Sequence, residues 1–275
     1  MYVIKKRLLL LLFIPLVSSG QKDHNILTNK IISIYSEILN EERTCLISFP
    51  DSYYETSVDR IYPIIILLDG YTYFKTVTGI VHFMSSNRVG NNLMPESIII
   101  IAIENVDRRR DFTLTKIKTK RPNTGGGGGK FLNFIEKELI PYIDENYRTE
   151  SYRTLIGHSL GGLLTLNSYM DKFSVFNTYI AIDPSIWWNE EMMKNKFDSI
   201  SSKSLNKKKI YIATANQGDA NYERNKKRHD DFYTLIIKKS GEPINVAIEY
   251  FEKENHRSVL LVALFEGLKY INQDN

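Results

Sequence analysis

Cysteine is nearly absent from this chain: 275 residues contain one, Cys45. A lone thiol can form no disulfide within the chain and cannot build a cysteine metal cluster. Its place in the apolar stretch 44–49 marks it as a buried structural thiol. An excess of one charge is missing as well. The formal net charge is +4, and Lys5, Lys6 and Arg7 supply three of those charges, which leaves +1 for the rest. That balance gives no support to a nucleic-acid role. The short basic runs Arg108-Arg109-Arg110 and Lys226-Lys227-Arg228 read as solvated faces or loops, although the first could pair with an anionic ligand. No apolar run is long enough to span a bilayer comfortably, since residues 8–17 fall short of the roughly 20 needed. No internal repeat is visible. The one low-complexity patch, glycines 125–129 before Lys130, fails as a phosphate loop because Phe131 stands where Ser or Thr is required. It reads as a flexible loop ahead of a helix.

Hydrophobic residues make up 43% of the chain and charged ones 25%, ordinary proportions for a globular protein with one sizeable α/β domain. The basic residues 5–7, the apolar run after them and the small residues Ser18-Ser19-Gly20 form a secretory signal pattern. No cysteine follows it, so a lipid-modified terminus is not expected. The expectation is a signal peptide at 1–20, a single domain at 21–275, and export to the periplasm or medium without a stable membrane anchor.

Residues 31–39 and 43–49 alternate in part and are separated by Asn40-Glu41-Glu42, a hairpin signal at a sheet edge; a helix over 26–39 is the competing reading. Residues 62–68 and 97–103 are continuous β-branched runs, the pattern of strands buried on both faces. Later strands are expected at 154–157, 178–182, 209–213 and 245–251. Between them, residues 130–146 carry Leu132, Ile135, Leu139 and Ile143 at helical spacing, and 258–271 is similar. Strands alternating with helices imply a mostly parallel central sheet with helices on both faces, preceded by an antiparallel hairpin.

One turn in this pattern carries chemistry. Gly157-His158-Ser159-Leu160-Gly161 follows a short apolar strand and leads into a helix over 160–170. A serine on such a strand-to-helix elbow presents its hydroxyl clear of the sheet, and Gly157 and Gly161 are expected to avoid a Cβ collision there. Three fixed letters also arise by chance as a glycine-rich turn, so the base matters. Of five histidines, His24 lies just past the cleavage site, and His82 and His229 fall within helical stretches. His158 points away from its neighbour Ser159. His256 remains, after the last strand and before the final helix, where catalytic groups gather at the carboxyl ends of parallel strands. The carboxylate that orients it is expected beyond strand 209–213, where Asp219 leads over Glu223, because Glu223 falls in the next helix. The order Ser159, Asp219, His256 is that of the α/β-hydrolase fold. The oxyanion amides are assigned to Leu160, directly after the nucleophile, and to Tyr71 after Asp69-Gly70, with Gly70 giving the backbone room to turn.

Several ordered segments resemble one family: RTCLISFPDSY (43–53), LLDGYTYF (67–74), RDFTLT (110–115), GGGKFLNFIEKELIPYIDENYRT ending at Thr149, GHSLGG, DPSIWW (183–188) and ENHRSV (254–259). They are similar to the esterases of the α/β-hydrolase fold that include S-formylglutathione hydrolase, mycolyltransferases, feruloyl esterases and enterobactin esterases. The likeness runs from about Ser36 to Ile271. It implies a Ser-acid-His hydrolase acting on a small-molecule ester, with no metal or organic cofactor and with oxyanion donors at Tyr71 and Leu160. The family often has serine where Asp183 stands, a departure expected to alter the pocket floor near Trp187. Some of its members work with a Ser-His pair, which leaves the acid the least fixed member. Trp187, Trp188 and nearby tyrosines are expected to wall an aromatic-friendly pocket, with a structural role for Trp188 equally open. Siderophore esters and hydroxycinnamoyl or acetyl sugar esters fit such a pocket. The same machinery permits acyl transfer to an alcohol; a silent binding protein on this fold would need neither Ser159 nor His256.

Overall fold

The computed structural model of the chain describes residues 29–54, 59–85, 93–95, 99–117, 124–171, 174–201, 205, 207–216, 222–240 and 245–273. The expected signal segment, His24 and Asp219 lie outside them. Eight strands form one sheet: β1 (Asn29–Ser36), β2 (Glu41–Ser48), β3 (Tyr62–Leu67), β4 (Ile99–Ile103), β5 (Thr149–His158), β6 (Thr178–Ile182), β7 (Lys209–Ala215) and β8 (Val246–Phe251). Their order is β1-β2-β4-β3-β5-β6-β7-β8. β1 and β2 pair antiparallel around a turn in which Asn40 takes φ 56°, so the hairpin reading holds and the helix reading does not. β2 also runs antiparallel to β4, and every pair from β4 to β8 is parallel.

The helices are α1 (Gly70–Ser85), α2 (Arg108–Phe112), α3 (Gly128–Phe134), α4 (Ile140–Asn146), α5 (Leu160–Tyr169), α6 (Trp188–Ser199), α7 (Tyr222–Ser240) and α8 (Val259–Asn272). A π-helical turn, Ile135–Leu139, joins α3 to α4, so the expected helix over 130–146 is one continuous element with a widened turn. Successive strand residues feed opposite cores. Ile64 and Ile66 pack with α3–α7, whereas Ile65 and Leu67 pack with α1 and α8. This is why β3 and β4 read as unbroken apolar runs.

Two local expectations change. The glycine patch is pinned rather than loose: the Gly126 and Gly128 amides donate to Thr113 O, and Gly127 N donates to Arg110 O. A Cβ on Gly127 would sit 2.8 Å from the Arg110 side chain, which accounts for glycine there by close approach. The arginine run is likewise no solvated loop. Arg108 is bidentate to Asp69, Arg110 pairs with Glu41 and Asp111, and the Arg109 guanidinium lies 5.9 Å from the Trp188 ring. Cys45 is fully buried, and burial pushes its thiol up to about 12.

Candidate active site

Ser159 stands between β5 and α5 with φ 58° and ψ −116°, a conformation that costs a non-glycine residue about 1–3 kcal/mol. The elbow closes because Ser159 N donates to Ile182 O at 2.9 Å and Leu163 N donates to Ser159 O at 3.0 Å. Of the two expected glycines, one is required. A Cβ on Gly157 would stand 2.3 Å from Gly161 O, whereas one on Gly161 would meet nothing closer than 3.5 Å. The second crowded glycine is Gly162, whose Cβ would lie 3.0 Å from Pro184 Cα.

His256 comes from the short loop between β8 and α8. Asn255 folds that loop: its side chain accepts from the Arg257 and Ser258 amides, and its carbonyl accepts from Val259 N. The imidazole donates from Nδ1 to Asp183 Oδ2 at 2.5 Å, which leaves Nε2 free of that bond on a ring whose side chain is 42% exposed. Asp183 follows β6 at φ 38°, is 2% exposed, and accepts from the Ala215 amide at its other oxygen. The fold's chain order points to a carboxylate one strand further on. Asp219 lies outside the described residues, Glu223 is exposed in the first turn of α7, and the carboxylate held against His256 is Asp183. A signal was present: an aspartate capping the buried run Ile180-Ala181-Ile182, on the strand that pairs with the serine's strand.

The remaining parts converge on the same rim. Ser185 N donates to Ser159 O at 3.0 Å, and the two hydroxyls are 3.4 Å apart, so the segment leaving Asp183 lies against the elbow. His158 faces away from Ser159. Its Nε2 donates to His256 O at 2.8 Å, and its Nδ1 accepts from the Tyr73 hydroxyl at 2.9 Å. The two imidazoles lie 4.5 Å apart. Burial, and then the charge of His256, push His158 down to about 4, so it is a neutral donor at working pH. Burial followed by Asp69 raises the Tyr73 phenol, which keeps its proton available.

Tyr71 and Leu160 occupy first turns of α1 and α5, where amides have no intrahelical partner. The Thr72 and Tyr73 amides are taken by Asp69 O. Among the described residues no acceptor pairs with the Tyr71 or Leu160 amide. Gly70 serves close packing, not the turn: its Cβ would meet the Ala102 and Ile103 carbonyl carbons at 2.8 Å, and the positive φ (57°) belongs to Asp69. Trp187 is 46% exposed next to this rim, whereas Trp188 is buried and donates to Thr115 O. Among the described residues no group of three or more His, Cys, Asp or Glu side chains could hold a metal ion, and no helix is long and apolar enough to cross a membrane.

A parallel-rich sheet with a serine elbow after β5 and an imidazole after β8 defines a hydrolase of the α/β-hydrolase fold. The chain belongs to the family described as "Putative esterase", whose match covers residues 36–257, and it is accordingly an ester-bond hydrolase. It is 31% identical over 226 residues to the ferri-bacillibactin esterase BesA of Bacillus subtilis, covering 76% of this chain and 78% of the relative. A siderophore triacetylfusarinine C esterase of Aspergillus fumigatus is 36% identical over 136 residues, 46% of this chain and 45% of that one. Among solved structures, an IroE-like serine hydrolase from Shewanella oneidensis superposes with a TM-score of 0.73 at 26% identity, over 90% of this chain and 80% of its own.

Proposed function

We propose that the chain is an exported serine esterase that cleaves siderophore esters through an acyl-enzyme, with Ser159 as nucleophile, His256 as base and Asp183 as its orienting acid. The single observation that carries this reading is the 2.5 Å bond from His256 Nδ1 to the buried Asp183, next to a serine held at positive φ. With Nδ1–H given to the carboxylate, Nε2 carries the lone pair that takes the Ser159 proton as Oγ attacks the acyl carbon. The carbonyl oxygen becomes negative in front of the Tyr71 and Leu160 amides, each donor worth about 3–4 kcal/mol in related sites. His256 then gives its proton to the departing alkoxide, which leaves as an alcohol. Water, deprotonated by the same imidazole, attacks the acyl-serine and releases the carboxylic acid.

The substrate class rests on relatives named for siderophore esters and on the exposed Trp187 beside the rim, a flat apolar surface suited to aromatic acyl groups. Export rests on the signal pattern in residues 1–20. The test pairs fluorophosphonate labelling with turnover of a short p-nitrophenyl ester and of a trilactone siderophore. An adduct on Ser159 and hydrolysis abolished by Ser159→Ala are expected, with His256→Ala slower by about 10⁴ or more. A folded protein that takes no label and leaves every ester intact is a silent binding module instead.

A further inference from the structure

We propose that Arg108 is a positioning residue for the oxyanion hole, fixing the spacing of its two amides by gripping the chain two residues upstream of each. The inference rests on the serine-esterase reading and goes beyond it in assigning a role to a residue remote from the nucleophile in sequence. Tyr71 follows Asp69 by two residues, and Leu160 follows His158 by two. One guanidinium holds both upstream positions. Arg108 Nε donates to Asp69 Oδ1 at 2.6 Å, its terminal nitrogen donates to Asp69 Oδ2 at 2.9 Å, and the same nitrogen donates to His158 O at 3.2 Å. The side chain of Asn105 adds a 2.6 Å bond to Asp69 Oδ1.

Both gripped positions control the direction of an amide. Asp69 is a non-glycine residue at φ 57°, and its carbonyl accepts from Thr72 N and Tyr73 N, which sets the first turn of α1 around Tyr71. His158 is the last residue of β5 before the elbow, so its carbonyl defines the peptide plane entering Ser159. Arg108 is itself anchored. It opens α2, whose N-cap Asp107 accepts from Arg110 N, and its guanidinium lies 5.4 Å from the Phe112 ring. Charge adds a second reason for arginine. The Asp69 carboxylate is 4% exposed and sits against the first turn of α5, with Oδ2 3.5 Å from where a Gly161 Cβ would be. An unpaired carboxylate there would oppose the negative charge that develops on the acyl oxygen; the guanidinium neutralises it. Lysine could supply the charge but not the planar fork that meets two carboxylate oxygens and a carbonyl together.

The experiment uses the full chain carrying Arg108→Ala and Arg108→Lys, assayed with a p-nitrophenyl ester, by fluorophosphonate labelling rate and by thermal melting. For Arg108→Ala, kcat is expected to fall about 10- to 100-fold with KM nearly unchanged, and labelling of Ser159 to slow in parallel. Arg108→Lys should recover only part of this loss. Free guanidinium at millimolar concentration should raise the rate of Arg108→Ala and leave Ser159→Ala inactive, because the partly exposed site admits the ion. A role confined to stability would lower the melting temperature and leave kcat of the folded fraction unaltered, with no guanidinium response; that result overturns the proposal. If Arg108→Ala does not fold, Arg108→Lys decides: wild-type kcat overturns the proposal, and a lowered kcat at unchanged KM supports it. Wild-type protein that neither turns over esters nor takes label removes the parent reading and this one together, whereas active wild type with normal Arg108 variants removes this one alone.

Discussion

The two ends of the central sheet are made from the same strands and are built differently. At the carboxyl ends of three adjacent strands, β3, β5 and β6, the chain passes through Asp69, Ser159 and Asp183 at φ 57°, 58° and 38°. At the amino ends of the parallel strands, among the described residues, only Lys207 ahead of β7 is a non-glycine residue at positive φ. Polar groups at that end settle into ordinary pairs: Thr154 with Thr178 at 2.7 Å, Arg153 with Asp144 at 2.8 Å, and Lys209 Nζ with Gln273 O at 3.0 Å. A cavity of about 360 Å³ there is lined by Ile64, Tyr152, Thr154, Lys209 and Ile271 and contains no part of the serine site. Backbone strain of about 1–3 kcal/mol per residue persists where packing over-determines it, and the sheet concentrates that strain at the rim where side chains must converge.

The sharpest way to break this contrast is to remove one convergent group without disturbing the backbone. Asp183→Asn should lower kcat by about 10³–10⁴, because the amide cannot hold the His256 tautomer or stabilise its charged form. Asp219→Asn should stay within about threefold; steady-state kinetics of both variants check this, and the reverse ranking would return the acid to the loop after β7. Next in size is a pair of backbone tests at the elbow. Gly157→Ala should destabilise by about 3 kcal/mol or more, since its Cβ would stand 2.3 Å from Gly161 O, whereas Gly161→Ala should melt within a few degrees of wild type. Equal melting temperatures for the two would show that the elbow relaxes more easily than its contacts indicate.

The last effect concerns pH and runs in opposite directions at the two ends. His158 at the carboxyl end is held at about 4 against its ordinary 6.5. Below 6.5 the unfolded chain takes up a proton that the folded one refuses, so stability falls as pH drops, by about 3 kcal/mol at pH 4. Glu136 at the amino end is raised to about 7 from 4.5, first by burial and then by Asp171. Its contribution is complete below 4.5 and disappears as pH rises through 7. Glu136→Gln should therefore raise the melting temperature at pH 8, change nothing at pH 4 and leave the acid limb in place. Thermal melts at those pH values are the measurement, and an unchanged alkaline limb would count against the assignment.

Much of this architecture was legible in the residues. β3 and β4 were visible because burial on both faces demands unbroken apolar runs, and the hairpin because alternation stops at Asn40. The placement of Ser159 at a tight turn after β5 and of His256 in the loop after β8 was legible, because that turn needs Gly157 and the last apolar strand stops short of His256. The partner of His256 was not. Fold-level chain order points past β7, while the actual neighbour depends on the lateral position of β6 in the sheet, which no local pattern encodes. A solvated reading of Arg108 and Arg110 fails for the same reason: Asp69 and Glu41, the carboxylates that hold them, lie about forty and seventy residues away in sequence. The glycine patch looks loose by composition, which reports conformational freedom and not close approach to Arg110 and Thr113.

Trp187 and Trp188, the only two tryptophans in the chain, face opposite environments with ring centres 5.8 Å apart. One indole is sealed in the interior with its N–H given to a carbonyl, and the other meets solvent on the rim. Because adjacent residues on one backbone meet both environments, a molecule docking against the exposed ring bears on a peptide segment whose other ring is fixed in the core.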